Sequence, residues 1–251
     1  MEPAGTGKEG INSGIGTSRE EVEKMIGCLC LHGFSGNPKE IDAITTYLEK
    51  KKWLVYTPTL PGHGENNTLK GITYKHWIYA ATVAVEELLK RCEKVYVIGF
   101  SMGGMIASYI ASRYPVEKLV LLSSSAYYLN PKQILEVVSG WIVEGLRGEL
   151  EDDKLYQFYK QKVLETPLEA TKQFTKMVKE LRGHLKNIKV PTLIIQGESD
   201  GLVPPKSAQY IYEQIQSEEK DLYFFPKAKH YIWFGEEKEE LLQKIDDFLC
   251  G

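Results

Sequence analysis

The sequence predicts an α/β fold built on a mainly parallel sheet wrapped by helices. Two observations predict it. Short apolar, β-branched runs alternate with segments of helical period, the pattern of strands joined by crossover helices. One such junction, Lys94-Val95-Tyr96-Val97-Ile98-Gly99-Phe100-Ser101-Met102-Gly103-Gly104, passes from a buried strand to a small-residue helix through G-x-S-x-G. A chain of 251 residues suits one such domain with an insertion.

The elements follow in order. Residues 1–24 are rich in Gly, Ser and Glu, show no periodicity and are expected to form a poorly structured N-terminal arm. They also lack the apolar stretch of a signal peptide. Residues 25–31 read as a strand that runs into the glycine loop His32-Gly33-Phe34-Ser35-Gly36. Asn37 then caps a helix with Pro38 in its first turn, extending to about Lys52. Residues 53–57 form the next strand, and Leu60-Pro61-Gly62-His63-Gly64 is turn chemistry. Trp77, Ala81, Val85 and Leu88 make residues 74–92 an amphipathic helix. Residues 95–98 precede the serine turn, and 102–114 continue from it as a helix. Residues 118–122, 190–196 and 222–225 are further strands, with helices at 205–215 and 236–249.

The rhythm breaks at residues 126–186, which are helical in pattern, rich in Lys and Glu, and without a strand. They are expected to form a helical cap, leaving 25–125 and 187–251 as the core. Ile134, Leu135, Val138, Trp141, Ile142 and Leu146 share one face of its first helix. Core packing and substrate lining account for that face equally well.

Composition narrows the classes. Apolar residues make up 43% and charged residues 26%, values of an ordinary globular chain. A net charge of −3 leaves no footprint for nucleic acid or an acidic membrane. No run of eighteen apolar residues exists, so no integral membrane segment is expected. Cys28 and Cys30 lie two apart on a strand and share a face, and with Cys92 and Cys250 they form no C-x-x-C pattern. They read as small buried apolar residues, which suits a reducing cytoplasm. Oligomeric state has no signature in the sequence.

The serine turn carries chemistry. In a nucleophile elbow the serine hydroxyl stands on a sharp turn between strand and helix, and Gly99 and Gly103 leave room for that turn. A serine needs a base and an orienting acid, which follow it in the chain order Ser, Asp or Glu, His. After Ser101, the loop Ser123-Ser124-Ser125 offers no carboxylate, whereas Gly197-Glu198-Ser199-Asp200-Gly201 offers two. Of the five histidines only His230 follows that loop. Asp200 is preferred to Glu198 because it is shorter, lies further out of the strand and precedes Gly201 and Val203-Pro204-Pro205. The oxyanion hole is expected from the backbone N–H groups of Met102 and Phe34. His32 is expected to brace its loop, His63 to be structural, and His76 and His184 carry no signal.

Leu31-His32-Gly33-Phe34-Ser35-Gly36, Leu60-Pro61-Gly62-His63-Gly64, Gly99-Phe100-Ser101-Met102-Gly103-Gly104, Asp200-Gly201-Leu202-Val203-Pro204-Pro205 and His230 together resemble the α/β-hydrolase superfamily. They are most similar to its small bacterial carboxylesterases and monoacylglycerol lipases. The resemblance implies an α/β-hydrolase fold with a small helical cap inserted after the sixth strand. It implies a serine hydrolase acting on small-molecule carboxylic esters of short to medium acyl chains, without metal or organic cofactor. Trp141, Ile142 and Val138 would then line the acyl pocket. A thioesterase or amidase would use the same residues, and a non-catalytic ligand-binding protein is the reading from another class. Two features depart from the pattern: the polar N-terminus does not resemble the antiparallel strands that often open this fold, and His230 follows Ala-Lys rather than a small residue.

Overall fold

The computed structural model describes residues 25–64, 68–127 and 166–251. Among these residues six strands form one sheet: β1 (Ile26–Leu31), β2 (Leu54–Tyr56), β3 (Lys94–Phe100), β4 (Lys118–Leu122), β5 (Thr192–Gly197) and β6 (Lys220–Phe225). Their order is β2-β1-β3-β4-β5-β6, and every neighbouring pair is parallel. Between them run α1 (Asp42–Lys50), α2 (Tyr74–Arg91), α3 (Met102–Ala111), α4 (Leu168–Leu181), α5 (Lys206–Gln214) and α6 (Lys238–Cys250).

A parallel sheet needs both faces covered, and the period of 2 along each strand divides the apolar side chains between two cores. Leu29, Leu31, Val97 and Leu121 face α2, α3, α4 and α5. Cys28, Cys30, Ile98 and Val120 face α1 and α6. Cys28 and Cys30 thus share a face as expected, with Sγ atoms 3.7 Å apart and no disulfide. Burial pushes the Cys28 thiol well above its usual range, which suits a packing role.

The sequence-based boundaries shift at a few elements. The helix expected from Asn37 opens as a 3₁₀ turn, Pro38–Ile41, before α1 begins at Asp42. Asn37 is the cap: its side chain accepts the Lys39 N–H at 2.9 Å. The first strands are shorter at their starts, and β3 runs on to Phe100, because it pairs with β1 as far as Gly99 and with β4 as far as Phe100. The strand that precedes the 126–186 stretch is β4, the fourth among the described residues. Of that stretch the described part is 126–127 and 166–186. It contains α4, which packs against α2 and α3 through Phe174, Met177 and Val178. Trp141, Ile142 and Val138, with Ile134, Leu135 and Leu146, lie outside the described residues.

The strand order reverses between β1 and β3: the chain steps outward from β1 to β2, then returns to β1's other side. In open α/β sheets the crevice at the carboxyl ends of the strands beside such a switch is where ligands bind. Here those ends are His32-Gly33-Phe34 after β1 and Ser101 after β3.

Trp77 tests the packing that holds α2 against the sheet. It is fully buried, and its Nε1–H donates to the Pro61 carbonyl at 2.9 Å. Trp77→Ala should cost about 3–5 kcal/mol of stability, while Tyr79→Ala should stay within about 0.5 kcal/mol. Tyr79 is 70% exposed on the same helix. Urea unfolding midpoints of the two variants check the contrast.

Candidate active site

Ser101 occupies the elbow between β3 and α3 with φ 54° and ψ −115°. This is a left-handed conformation that a serine adopts only under constraint. The constraint is visible on both sides. The Ser101 N–H continues the sheet pairing onto the Leu122 carbonyl at 2.9 Å. The Ser101 carbonyl accepts the N–H groups of Gly104 at 3.1 Å and Ser125 at 3.2 Å. The glycines around it are required by close approach. A Cβ on Gly103 would lie 2.2 Å from the Leu31 carbonyl oxygen, and one on Gly99 would lie 2.4 Å from the Gly103 carbonyl oxygen. So α3 can begin only if its first turn passes bare against the end of β1.

β5 delivers the acid. Its last residue, Gly197, is followed by a turn in which the Asp200 N–H donates to the Gly197 carbonyl at 3.4 Å. Asp200 Oδ1 accepts two backbone N–H groups, from Leu202 at 2.8 Å and Val203 at 2.9 Å. Oδ2 accepts Gln196 Nε2–H at 2.9 Å and His230 Nδ1–H at 2.7 Å. The carboxylate is buried, and its hydrogen bonds replace the water it has lost. Glu198, the other candidate, is exposed.

β6 delivers the histidine. Beyond Phe225 the chain folds back over the Asp200 loop, with the Ser199 N–H bonded to the Ala228 carbonyl at 3.1 Å. Lys229, unusual before the histidine, is exposed and leaves the ring's placement intact. The His230 ring packs on Phe100, with centroids 4.9 Å apart. Its carbonyl accepts the Ser123 hydroxyl at 2.9 Å. With Nδ1–H directed at the carboxylate, Nε2 is the acceptor, and the Ser101 hydroxyl donates to it at 3.0 Å. The structure therefore brings Ser101, His230 and Asp200 into one hydrogen-bonded line, all three buried.

The loop after β1 lies alongside. Leu31 pairs with Gly99, so two residues further on Gly33 comes beside Ser101. His32 is buried; its Nδ1–H donates to the Gly33 carbonyl at 2.9 Å, and its Nε2 accepts the Leu60 N–H at 3.1 Å. Those partners fix the ring's orientation and make it a brace. The Gly33 carbonyl also accepts the Gly36 N–H at 3.3 Å. In a trans peptide the C=O and N–H point opposite ways, so both bonds aim the Phe34 N–H away from His32. Met102 is the first residue of α3, where amides have no partner within the helix and the dipole favours negative charge.

Several residues of this site carry no motif. Gln196 is a polar residue inside an apolar strand, and that mismatch is its one signal in the sequence. Ser123 and Glu40 had no such signal. Phe174 of α4 stacks on the Phe34 ring at 5.0 Å and 11°, and Trp77 meets Phe34 edge-on at 5.8 Å. This aromatic wall comes from three elements distant in sequence.

Residues 24–238 match the family model described as "Serine aminopeptidase, S33". A thermostable monoacylglycerol lipase from Bacillus sp. (strain H-257) is 23% identical over 230 residues, 90% of each chain. A carboxylesterase from Bacillus subtilis (strain 168) is 22% identical over 228 residues, 88% of this chain and 91% of that one. Among solved structures, one reported with the metagenome-derived lipolytic enzymes LipS and LipT aligns with a TM-score of 0.74 at 22% identity, covering 90% of this chain and 94% of that chain. A monoacylglycerol lipase from Paleococcus ferrophilus aligns with a TM-score of 0.68 at 19% identity, covering 89% and 93%. These structures share the α/β-hydrolase fold with this chain.

The strained serine yields a stability test. Glycine accepts the Ser101 conformation without a steric penalty, whereas alanine does not. Ser101→Gly should therefore be more stable than Ser101→Ala by about 1 kcal/mol, even after the glycine's larger loss of chain entropy. Urea midpoints reading equal, or reversed, would show that the elbow stores no strain.

Proposed function

The chain belongs to the serine aminopeptidase S33 family of α/β hydrolases, and from that premise we propose that it hydrolyses carboxylic esters of short to medium acyl chains through an acyl-enzyme. The observation that carries the reading is the line of two hydrogen bonds from Asp200 through His230 to Ser101. A serine hydroxyl is a weak nucleophile, and this line supplies both a base and its orienting acid.

The reaction follows from the geometry. Ser101 Oγ attacks the ester carbonyl carbon as His230 Nε2 takes its proton. The imidazolium so formed keeps its Nδ1–H on Asp200, whose charge stabilises it. The carbonyl oxygen becomes an oxyanion, and the N–H groups of Met102 and Phe34 are its proposed donors. His230 then gives its proton to the leaving alcohol oxygen as the carbon–oxygen bond breaks. In the second half the same nitrogen deprotonates a water, which attacks the acyl carbon and releases Ser101 with its proton restored. Names of relatives support an ester: a monoacylglycerol lipase and a carboxylesterase each align over about nine-tenths of the chain. The family description favours an amide as the alternative, with the same residues and a different leaving group.

Ser101→Ala and His230→Ala should each lower kcat on p-nitrophenyl butyrate by a factor on the order of 10⁴ to 10⁶. Asp200→Asn should be severe too, and Glu198→Gln should stay near wild type. A fluorophosphonate should label the wild type at Ser101 and leave Ser101→Ala untouched. Faster turnover of aminoacyl p-nitroanilides than of esters would replace the ester reading with the amide one.

The acyl group is proposed to lie against Phe34 and Phe174. Each buried methylene is worth about 0.8 kcal/mol, roughly fourfold in kcat/KM when realised in the transition state. Activity should therefore rise from acetate to a chain of about six to ten carbons. Phe174→Ala should flatten that rise and spare acetate. An equal loss on acetate and octanoate would instead assign Phe174 to packing alone.

A further inference from the structure

Glu40 is a buried carboxylate outside the Ser101–His230–Asp200 line. It stands in the 3₁₀ turn Pro38–Ile41, folded under the loop that follows β1. Its Oε2 accepts the Gly33 N–H at 3.1 Å. Its Oε1 accepts the Tyr231 hydroxyl at 2.5 Å. The two partners belong to opposite parts of the site. Gly33 immediately precedes Phe34, the proposed oxyanion donor, and Tyr231 immediately follows His230. Their loops leave β1 and β6, which three other strands separate in the sheet.

The fit around the carboxylate is close. A Cβ on Gly36 would lie 1.9 Å from Glu40 Oε2, so the loop wraps around the carboxylate itself. On the other side the Tyr231 ring is set by Phe100, 4.8 Å away between centroids, and by Trp233 at 5.7 Å. Phe100 also reaches the position of a Gly33 Cβ at 3.2 Å, so it fills the space beneath the bridge.

We propose that Glu40 is a positioning residue that couples the oxyanion donor to the catalytic histidine. Gly33 is a glycine with wide torsional freedom, and its peptide plane carries the Phe34 N–H. Holding the Gly33 N–H fixes one side of that freedom, and the bonds to the Gly33 carbonyl fix the other. Holding Tyr231 fixes the backbone from which His230 projects. A single carboxylate with two acceptor oxygens sets the distance between these two anchors. The oxyanion donor and the proton acceptor must converge on one carbonyl group, and displacement of about 1 Å between them costs on the order of 10²-fold in rate.

The inference rests on the ester-hydrolase reading above, and the experiment separates the two. Wild type, Ser101→Ala, Glu40→Ala, Glu40→Gln and Tyr231→Phe are compared on p-nitrophenyl butyrate, with rates expressed per folded molecule from urea titration. Glu40→Ala should lose roughly 50-fold in kcat with KM nearly unchanged, since donor and base fall out of register. Glu40→Gln should recover at least about tenfold of that loss, because its carbonyl accepts from Gly33 and its amide can donate to the Tyr231 oxygen. A trifluoromethyl ketone, which adds Ser101 Oγ and leaves an oxyanion, should lose affinity in the same ratio as kcat/KM falls. A merely structural role would lower the unfolding midpoint while leaving kcat and inhibitor affinity per folded molecule intact. Should Glu40→Ala fail to fold, Tyr231→Phe carries the test, with an expected loss of roughly fivefold in kcat at constant KM. Retention of kcat within twofold by the folded Glu40→Ala or by Tyr231→Phe, or Gln performing no better than Ala, overturns the coupling. Absence of Ser101-dependent ester hydrolysis in the wild type overturns the functional reading, and this inference with it.

Discussion

The Leu31 carbonyl oxygen lies 2.2 Å from where a Cβ on Gly103 would be. That approach brings the start of α3 directly against the end of β1, and the rest of the site depends on it. With β1 and β3 paired as far as Leu31 and Gly99, the two strands end level. Their loops then turn away on either side of the strand-order reversal and leave a crevice between them. The start of α3 and the Gly33–Phe34 peptide border this crevice. A larger residue at 103 would push α3 outward and open the elbow, whatever chemistry the serine retained.

Around that crevice the backbone is strained in a pattern. Ser35, Ser101 and Ser123 have φ of 59°, 54° and 45°. They follow β1, β3 and β4, the strands that frame the site. Lys52, the other such residue among those described, closes α1 and has the ordinary geometry of a helix end. Strain of this kind persists only where surrounding bonds over-determine the conformation. Here sheet pairing supplies those bonds: the N–H groups of Ser101 and Ser123 both continue the ladder, to Leu122 and Ile195 at 2.9 Å. Each side chain is turned off the strand axis while its backbone stays anchored to the sheet.

The two buried carboxylates of the site obey one rule. Asp200 accepts two backbone N–H groups on one oxygen and Glu40 accepts one, and each takes the group it holds on the other oxygen: His230 for Asp200, Tyr231 for Glu40. Taking a carboxylate out of water is costly unless hydrogen bonds replace the lost hydration. Once replaced, the fixed oxygens make rigid reference points. One orients the imidazole, and the other ties its loop to the loop after β1. The aromatic layer of Phe100, Tyr231 and Trp233 fills the space beneath and keeps these reference points apart from solvent.

The sequence by itself determined the α/β class, the type of nearly every described element and the identity of the elbow. Those properties are local: apolar period, capping by Asn37, and glycines spaced about a serine act within a few residues. It also determined the chain order of Ser101, Asp200 and His230, since elimination along the chain left few alternatives. The sequence already favoured Asp200 over Glu198 by its place in the loop, and the tertiary structure added the physical reason: Asp200 is buried and bonded to His230, whereas Glu198 is exposed. The tertiary structure alone placed Gln196 on Asp200, Phe174 against Phe34, and Glu40 between Gly33 and Tyr231. Glu40 and Tyr231 are 191 positions apart, and contacts over such separations leave no periodic trace. They exist because the strands run parallel, which gathers the carboxyl ends of β1, β3, β4, β5 and β6 at one edge.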